Sequence, residues 1–160
     1  IDIVPTIYIY NNLNKQVAES FFHWFFLTQK KPVPEILINK SKNSYIESML
    51  GRLSKTSAFI DSKILSEYKK KFTKEVIYAS CEDYRAGASI DLKHHIKDTK
   101  KVLCPTLILW GKDSLERKNF KTLSIWKNFC KNAEGYPING GHFLPEENPK
   151  EILNKILKFL

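Results

Sequence analysis

Apolar positions along the chain follow a helical period first and a strand pattern later, and the change comes near residue 102. Between Leu13 and Gln29, Val17, Phe21, Phe22, Trp24, Phe25 and Phe26 fall at helical spacing. In the second half of that run apolar residues nearly surround the axis, which predicts a deeply buried helix end. Lys30-Lys31-Pro32-Val33-Pro34 stops it, because proline lacks the backbone donor and clashes with the preceding turn. Shorter helices are predicted over 35–39 and 44–53, the second with Asn43 as its N-cap. A loop over 54–61 leads to a helix over 63–72, with Ile64, Leu65 and Tyr68 at helical spacing. The next helix, 74–88, carries Val76, Ile77, Ser80, Tyr84 and Ala88 roughly on one face, and 91–101 reads as a charged helix.

Beyond that point the texture differs. Cys104-Pro105 opens onto Thr106-Leu107-Ile108-Leu109-Trp110, closed by Gly111, the pattern of a buried parallel strand. A helix over 120–130 carries Leu123, Trp126 and Phe129, and a second short strand is predicted over 135–138. The loop Asn139-Gly140-Gly141-His142 precedes a last helix from Pro149 to Leu160, with Ile152, Leu153, Ile156, Leu157 and Leu160 as its stripe. Residues 1–12 read as a strand end and a loop, broken by Pro5 and Asn11-Asn12. The class is therefore α/β. Two parallel strands cannot shield both faces of a sheet by themselves, so the pair reads as the tail of a larger sheet. The opening Ile1-Asp2-Ile3-Val4-Pro5 has no initiator methionine and no secretory features, and reads as the middle of something longer.

Composition narrows the functional classes. The formal net charge is +9 over 160 residues. The lysines are scattered in short clusters, with no arginine-rich segment or zinc-knuckle pattern, so they read as a solvated surface and not a nucleic-acid site. Their field would still attract a small anion. No apolar run is long enough to span a bilayer. Cys81, Cys104 and Cys130 are odd in number and widely spaced, which argues against a disulfide framework or zinc site and fits reduced thiols in a cytoplasmic protein.

Candidate chemistry concentrates in a few residues. Gly140-Gly141-His142-Phe143 lies between the last strand and the last helix, where α/β-hydrolases place their general-base histidine. The bland alternative is a histidine bonded to a loop carbonyl. Asp113, after Trp110-Gly111, is one candidate acid partner, because many such enzymes place it after that strand; Asp2 is the other, or else a surface carboxylate. His23 and Trp24 sit in a very apolar helix where packing is the ordinary role, and Tyr84 is by default a core ring. Asp83 and Arg85 read as a structural ion pair or helix-surface contacts. His94 and His95 are adjacent on a helix and point apart, which disfavours a shared metal.

Four segments taken in order are more specific. Asp2-Ile3-Val4-Pro5-Thr6, Phe22-His23-Trp24-Phe25-Phe26-Leu27, Cys81-Glu82-Asp83-Tyr84-Arg85-Ala86-Gly87 and Gly140-Gly141-His142-Phe143-Leu144-Pro145-Glu146 together resemble the haloacetate (fluoroacetate) dehalogenase family of α/β-hydrolases. The resemblance runs through nearly the whole chain and implies its C-terminal part: a strand end over 1–11, a helical cap over 12–101 and the end of the α/β core over 102–160. It implies that His142 activates water, that Asp2 orients His142, and that His23, Trp24 and Tyr84 hold the departing halide. Indole, phenol and imidazole donors suit fluoride, which leaves poorly unless hydrogen-bonded. The family's aspartate nucleophile and its carboxylate-gripping arginines have no counterpart here. Gly87-Ala88-Ser89 follows a helix and is not a nucleophile turn. The expectation is a 2-haloacid hydrolase working through an aspartyl ester, with water and haloacid as partners, no metal or organic cofactor, and a homodimeric state. The 160 residues alone are expected to be inactive. An epoxide or ester hydrolase of the same fold, or a binding-only homologue, remains open.

Overall fold

In the computed structural model, residues 1–55, 62–115 and 119–160 are described. Eight helices come first: α1 (Thr6–Asn11), α2 (Lys15–Ser20), α3 (Phe22–Leu27), α4 (Val33–Lys40), α5 (Lys42–Leu53), α6 (Ser62–Lys71), α7 (Lys74–Gly87) and α8 (Ile90–Lys97). Strand β1 (Thr106–Gly111), helix α9 (Thr122–Phe129), strand β2 (Ala133–Ile138), a short α10 (Leu144–Glu147) and α11 (Pro149–Phe159) follow. β1 and β2 are parallel, in register from Thr106 opposite Ala133 to Gly111 opposite Ile138. β1 is buried along its last four residues, as a covered parallel strand should be. No helix among the described residues is long and apolar enough to cross a membrane. All three cysteines are free thiols.

Several local expectations change. Residues 6–11 form a helix where a strand end and loop are predicted. Ile9 is fully buried against Val4, Val17, Phe21, Phe120 and Ile125, and this packing outweighs the weak helix propensity of Thr-Ile-Tyr-Ile-Tyr. The run from 13 to 29 is two helices, broken at Phe21, whose backbone leaves the helical region at φ −108°, ψ 29°. Phe22 is exposed, not buried, because α3 is short and turns mainly His23 and Leu27 inward. α5 starts at Lys42, so Asn43 lies inside it and the cap position falls to Ser41. On α7 the buried line is Ile77–Cys81, and Val76 is exposed. α8 stops at Lys97, short of the expected Lys101. The connection predicted over 54–61 lies outside the described residues except for Ser54 and Lys55.

Three apolar clusters organise the molecule. One joins the chain start, α2 and α9. A second packs Leu27 and Ile38 on Ile77 and Cys81, locking α3 and α4 onto α7. The third sets Leu109 and Ile138 of the strands against Leu144 and Ile152. Asn148 caps α11 by accepting from Glu151 N–H (3.4 Å), and Pro149 at the first helical position needs no donor there. The consequence for function is placement. The end of β1, the chain start and the loop after β2 meet at one edge: the Asp2 N–H donates to the Leu109 carbonyl (2.7 Å), and the Asp113 N–H to that of Gly140 (3.2 Å).

Candidate active site

At that edge the chain turns sharply. Asp2 takes a left-handed backbone conformation (φ 45°), which a short polar side chain tolerates better than most. The turn sends its carboxylate inward, and the residue is buried. One oxygen, Oδ1, accepts from the Gly111 N–H at the end of β1 (2.8 Å). The other, Oδ2, lies 2.8 Å from His142 Nδ1. With Nδ1–H donating to the carboxylate, the neutral imidazole carries its basic lone pair on Nε2. His142 keeps about a third of its side chain exposed.

Glycine makes this approach feasible. A Cβ on Gly111 would run into the carbonyl oxygens of Gly140 and Gly141, so only a bare backbone lets the histidine loop close over the strand end. Gly140 itself sits at φ +149°. The loop is braced from the helical side as well, where the His142 N–H donates to the Leu53 carbonyl (3.0 Å). Asp113, the rival acid, lies exposed in the turn after β1. The imidazole meets Asp2 and not Asp113.

The second group of candidates also comes together. Tyr84 on α7 makes edge-on ring contacts with both His23 and Trp24 of α3, each at 5.9 Å between centroids. Trp24 is further boxed by Phe21 and Tyr10. A cavity of about 180 Å³ opens beside two of the three, Trp24 and Tyr84, and is lined also by Tyr10 and Asp83. His23 is buried, and its pKa is pushed down to about 4, first by burial and then by the charges of Arg52 and His142. It is therefore a neutral imidazole with one ring N–H to give. Its Nδ1 is buried and has no hydrogen-bond partner among the described residues.

Two supports were not singled out in the sequence. Arg52, at the end of α5, donates from Nη2 to the Glu19 and Ser20 carbonyls (2.9 and 2.6 Å) and lies over the Phe22 ring. The guanidinium thus covers one face of the exposed Phe22 ring, and its charge reaches His23. Glu147 returns its carboxylate to the histidine loop. Nothing in the sequence flags Arg52. Glu147 stands directly after the quoted Phe143–Glu146 segment, and a carboxylate so close to a glycine loop was a legible signal. Arg85 does pair, as expected, but with Glu35 (2.7 Å) and Glu82 (2.5 Å) instead of Asp83, and its Nε–H donates to the Gln29 carbonyl (2.9 Å). That ties the end of α3 and the start of α4 to the turn of α7 that bears Tyr84. His94 and His95 lie away from this site, His95 against Phe129. Among the described residues no group of three or more potential metal ligands exists.

Known proteins resemble this chain over nearly its whole length. A fluoroacetate dehalogenase from Burkholderia sp. is 31% identical over 163 residues, matching all of this chain and 54% of its own. A soluble epoxide hydrolase from Corynebacterium sp. (strain C12) is 28% identical over 147 residues, 89% of this chain and 50% of its own. The solved structure of a protein from Nostoc sp. PCC 7120, provisionally assigned as an α/β hydrolase, superposes with a TM-score of 0.95 at 38% identity, over 99% of this chain and 55% of that one. No family model matches the sequence. The chain thus spans about half the length of the curated relatives it resembles.

Proposed function

We propose that this chain, whose fold is that of the C-terminal part of an α/β-hydrolase, supplies the water-activating and halide-binding halves of a hydrolase acting on small 2-haloacids such as fluoroacetate. Two features support that reading together. The Asp2–His142 pair has the geometry of a general base with its orienting acid, and His23, Trp24 and Tyr84, each carrying an N–H or O–H, pack ring against ring with His23 near enough to feel the charge of His142. In the proposed reaction a carboxylate from sequence outside these 160 residues attacks the α-carbon. The carbon–halogen bond breaks, its electron pair leaves with the halide, and an ester joins substrate to enzyme. His142 Nε2 then takes a proton from water, and the resulting hydroxide attacks the ester carbonyl. The ester C–O bond breaks, the departing alkoxide takes the proton from the His142 imidazolium and leaves as the 2-hydroxyacid, and the carboxylic acid left on the enzyme loses its proton to solvent, regenerating the carboxylate. Asp2 holds the imidazolium that forms between these events. The helices over 12–101 act as the cap that keeps water away from the departing halide.

Donor chemistry bears on halide against oxygen. A halide needs donors only, and a neutral His23 alongside an indole suits it. Tyr10 beside Trp24 on the same cavity as Tyr84 favours the second reading, an epoxide hydrolase, whose substrate oxygen is held by two phenols. The full-length protein supplied with fluoroacetate and chloroacetate, and separately with a small epoxide, distinguishes them. Stoichiometric halide and hydroxyacid release is the expected outcome. Diol formation with no halide release would replace the first reading by the second.

A further inference from the structure

Behind His142 a single carboxylate gathers three backbone donors. Glu147 Oε2 accepts from the Gly141 N–H (2.9 Å) and the Lys55 N–H (3.0 Å), and Oε1 accepts from the Phe143 N–H (3.1 Å). Gly141 and Phe143 are the residues on either side of His142, so the backbone is held on both sides of the imidazole. Lys55 belongs to the segment that leaves α5. Two residues earlier the Leu53 carbonyl receives the His142 N–H (3.0 Å). The 53–55 and 141–143 stretches are thereby joined by one direct bond, from His142 to Leu53, and by Glu147 as the acceptor they share. The fit is tight. A Cβ at Gly141 would lie 2.6 Å from the Leu53 carbonyl oxygen, 2.8 Å from Lys55 N and 3.0 Å from Glu147 Oε1. Bonds from N–H groups to an ionised carboxylate are about twice as strong as neutral ones. Helix α10 has only four residues and is too short to hold the loop by its own helical bonds.

We propose that Glu147 is a positioning residue for His142. Its carboxylate fixes the loop so that Nδ1 stays on Asp2, and it makes that placement depend on where the end of α5 lies. The effect expected on ester hydrolysis rests on the proposed function. The effect on the imidazole does not. The test uses Glu147→Gln in the full-length protein. The substitution keeps the shape but turns one acceptor oxygen into an NH2 group facing an N–H donor.

Nitrogen-15 histidine NMR reads the outcome directly. The Nδ1 proton of His142, bonded to Asp2, is expected to exchange with water at least about tenfold faster in the variant, as a loosened loop opens more often. In pre-steady-state assays the first halide burst is expected to survive while the following hydrolysis slows by on the order of 10- to 100-fold. A residue that only stabilises the fold would lower burst and turnover in the same proportion, and that result overturns the proposal. So does a His142 proton whose exchange is unchanged in E147Q. If the NMR change is found but neither protein releases halide, the positioning role stands and the haloacid reading falls. Should E147Q not fold, hydrogen exchange on the unsubstituted protein decides. Protected amides at Lys55, Gly141 and Phe143 support the clamp, and rapid exchange there rules it out.

Discussion

The two parts of the candidate site are held by different forces. Around His142 nearly every restraint is a directional polar bond: Nδ1 to Asp2, Asp2 to the Gly111 N–H, the His142 N–H to Leu53, and the flanking amides to Glu147. Around His23, Trp24 and Tyr84 the restraints are ring contacts near 6 Å, backed by the Arg85–Glu35 ion pair under the helices. A base must present one lone pair in one direction, which only directional bonds enforce. A pocket for a spherical anion needs a fixed shape and a dry wall, which packing provides. Single-atom changes should therefore damage the first region severely, and the second should respond to lost volume, lost charge pairing and pH.

The largest effect is expected from Asp2→Asn. Its oxygen can stay on the Gly111 N–H while its NH2 faces His142 Nδ1, forcing the proton onto the wrong ring nitrogen. Steady-state turnover of the full-length protein should fall by about 10⁴-fold, the scale seen when a triad acid is neutralised in this way. Asp113→Asn, at an exposed turn, should stay within about twofold of the parent. The opposite ranking would mean that the imidazole is oriented by the other acid.

Arg85→Ala probes the packed region. It leaves Glu35 buried without its cation, which should destabilise the fold by about 3 kcal/mol. Thermal melting should show the loss, and the His142 ring resonances should keep their native shifts. If those shifts collapse together with the melting temperature, the two regions are one cooperative unit and the contrast fails.

The most diagnostic effect is on pH. Folded His23 resists protonation down to about pH 4, whereas the unfolded chain takes up the proton near the ordinary value of 6.5. Between these values the unfolded state binds more protons, so stability falls as pH drops through that window and is complete above about 6.5. The window spans roughly 3 kcal/mol. Arg52→Gln removes one of the two charges that press on His23 and should raise its pKa, narrowing the window. Histidine NMR titration would show the shift, and a His23 that titrates near 6.5 in the parent protein would contradict the buried neutral imidazole.

What the sequence revealed depended on how local the cause was. β1 and the capped last helix follow from apolar runs and punctuation at Gly111 and Pro149, and they were legible; β2 was legible only over 135–138, two residues short of its start at Ala133. Asp2 beside His142 could be anticipated only by likeness to known proteins, since 140 positions separate them and no period connects them. Helix α1 was misread because its stability comes from Ile9 meeting Phe21 and Phe120, contacts that lie far away in sequence. The break at Phe21 was hidden inside a continuous apolar run. Arg52 was invisible because its role is to satisfy two carbonyls at the end of α2, and carbonyls leave no mark in a sequence. Glu147 stood in plain view next to a glycine loop, but what it binds there are backbone N–H groups, and its third donor, Lys55, is 92 positions away.

The most direct measurement is a single-turnover reaction of His142→Asn full-length protein with fluoroacetate, following fluoride release and intact mass together. One fluoride per active site, followed by a stalled carboxymethyl ester on the protein, is the result expected if His142 serves only the hydrolysis of an ester. Continued turnover, or no fluoride and no adduct from a protein whose unsubstituted form is active, would contradict the assignment of His142 as the water-activating base.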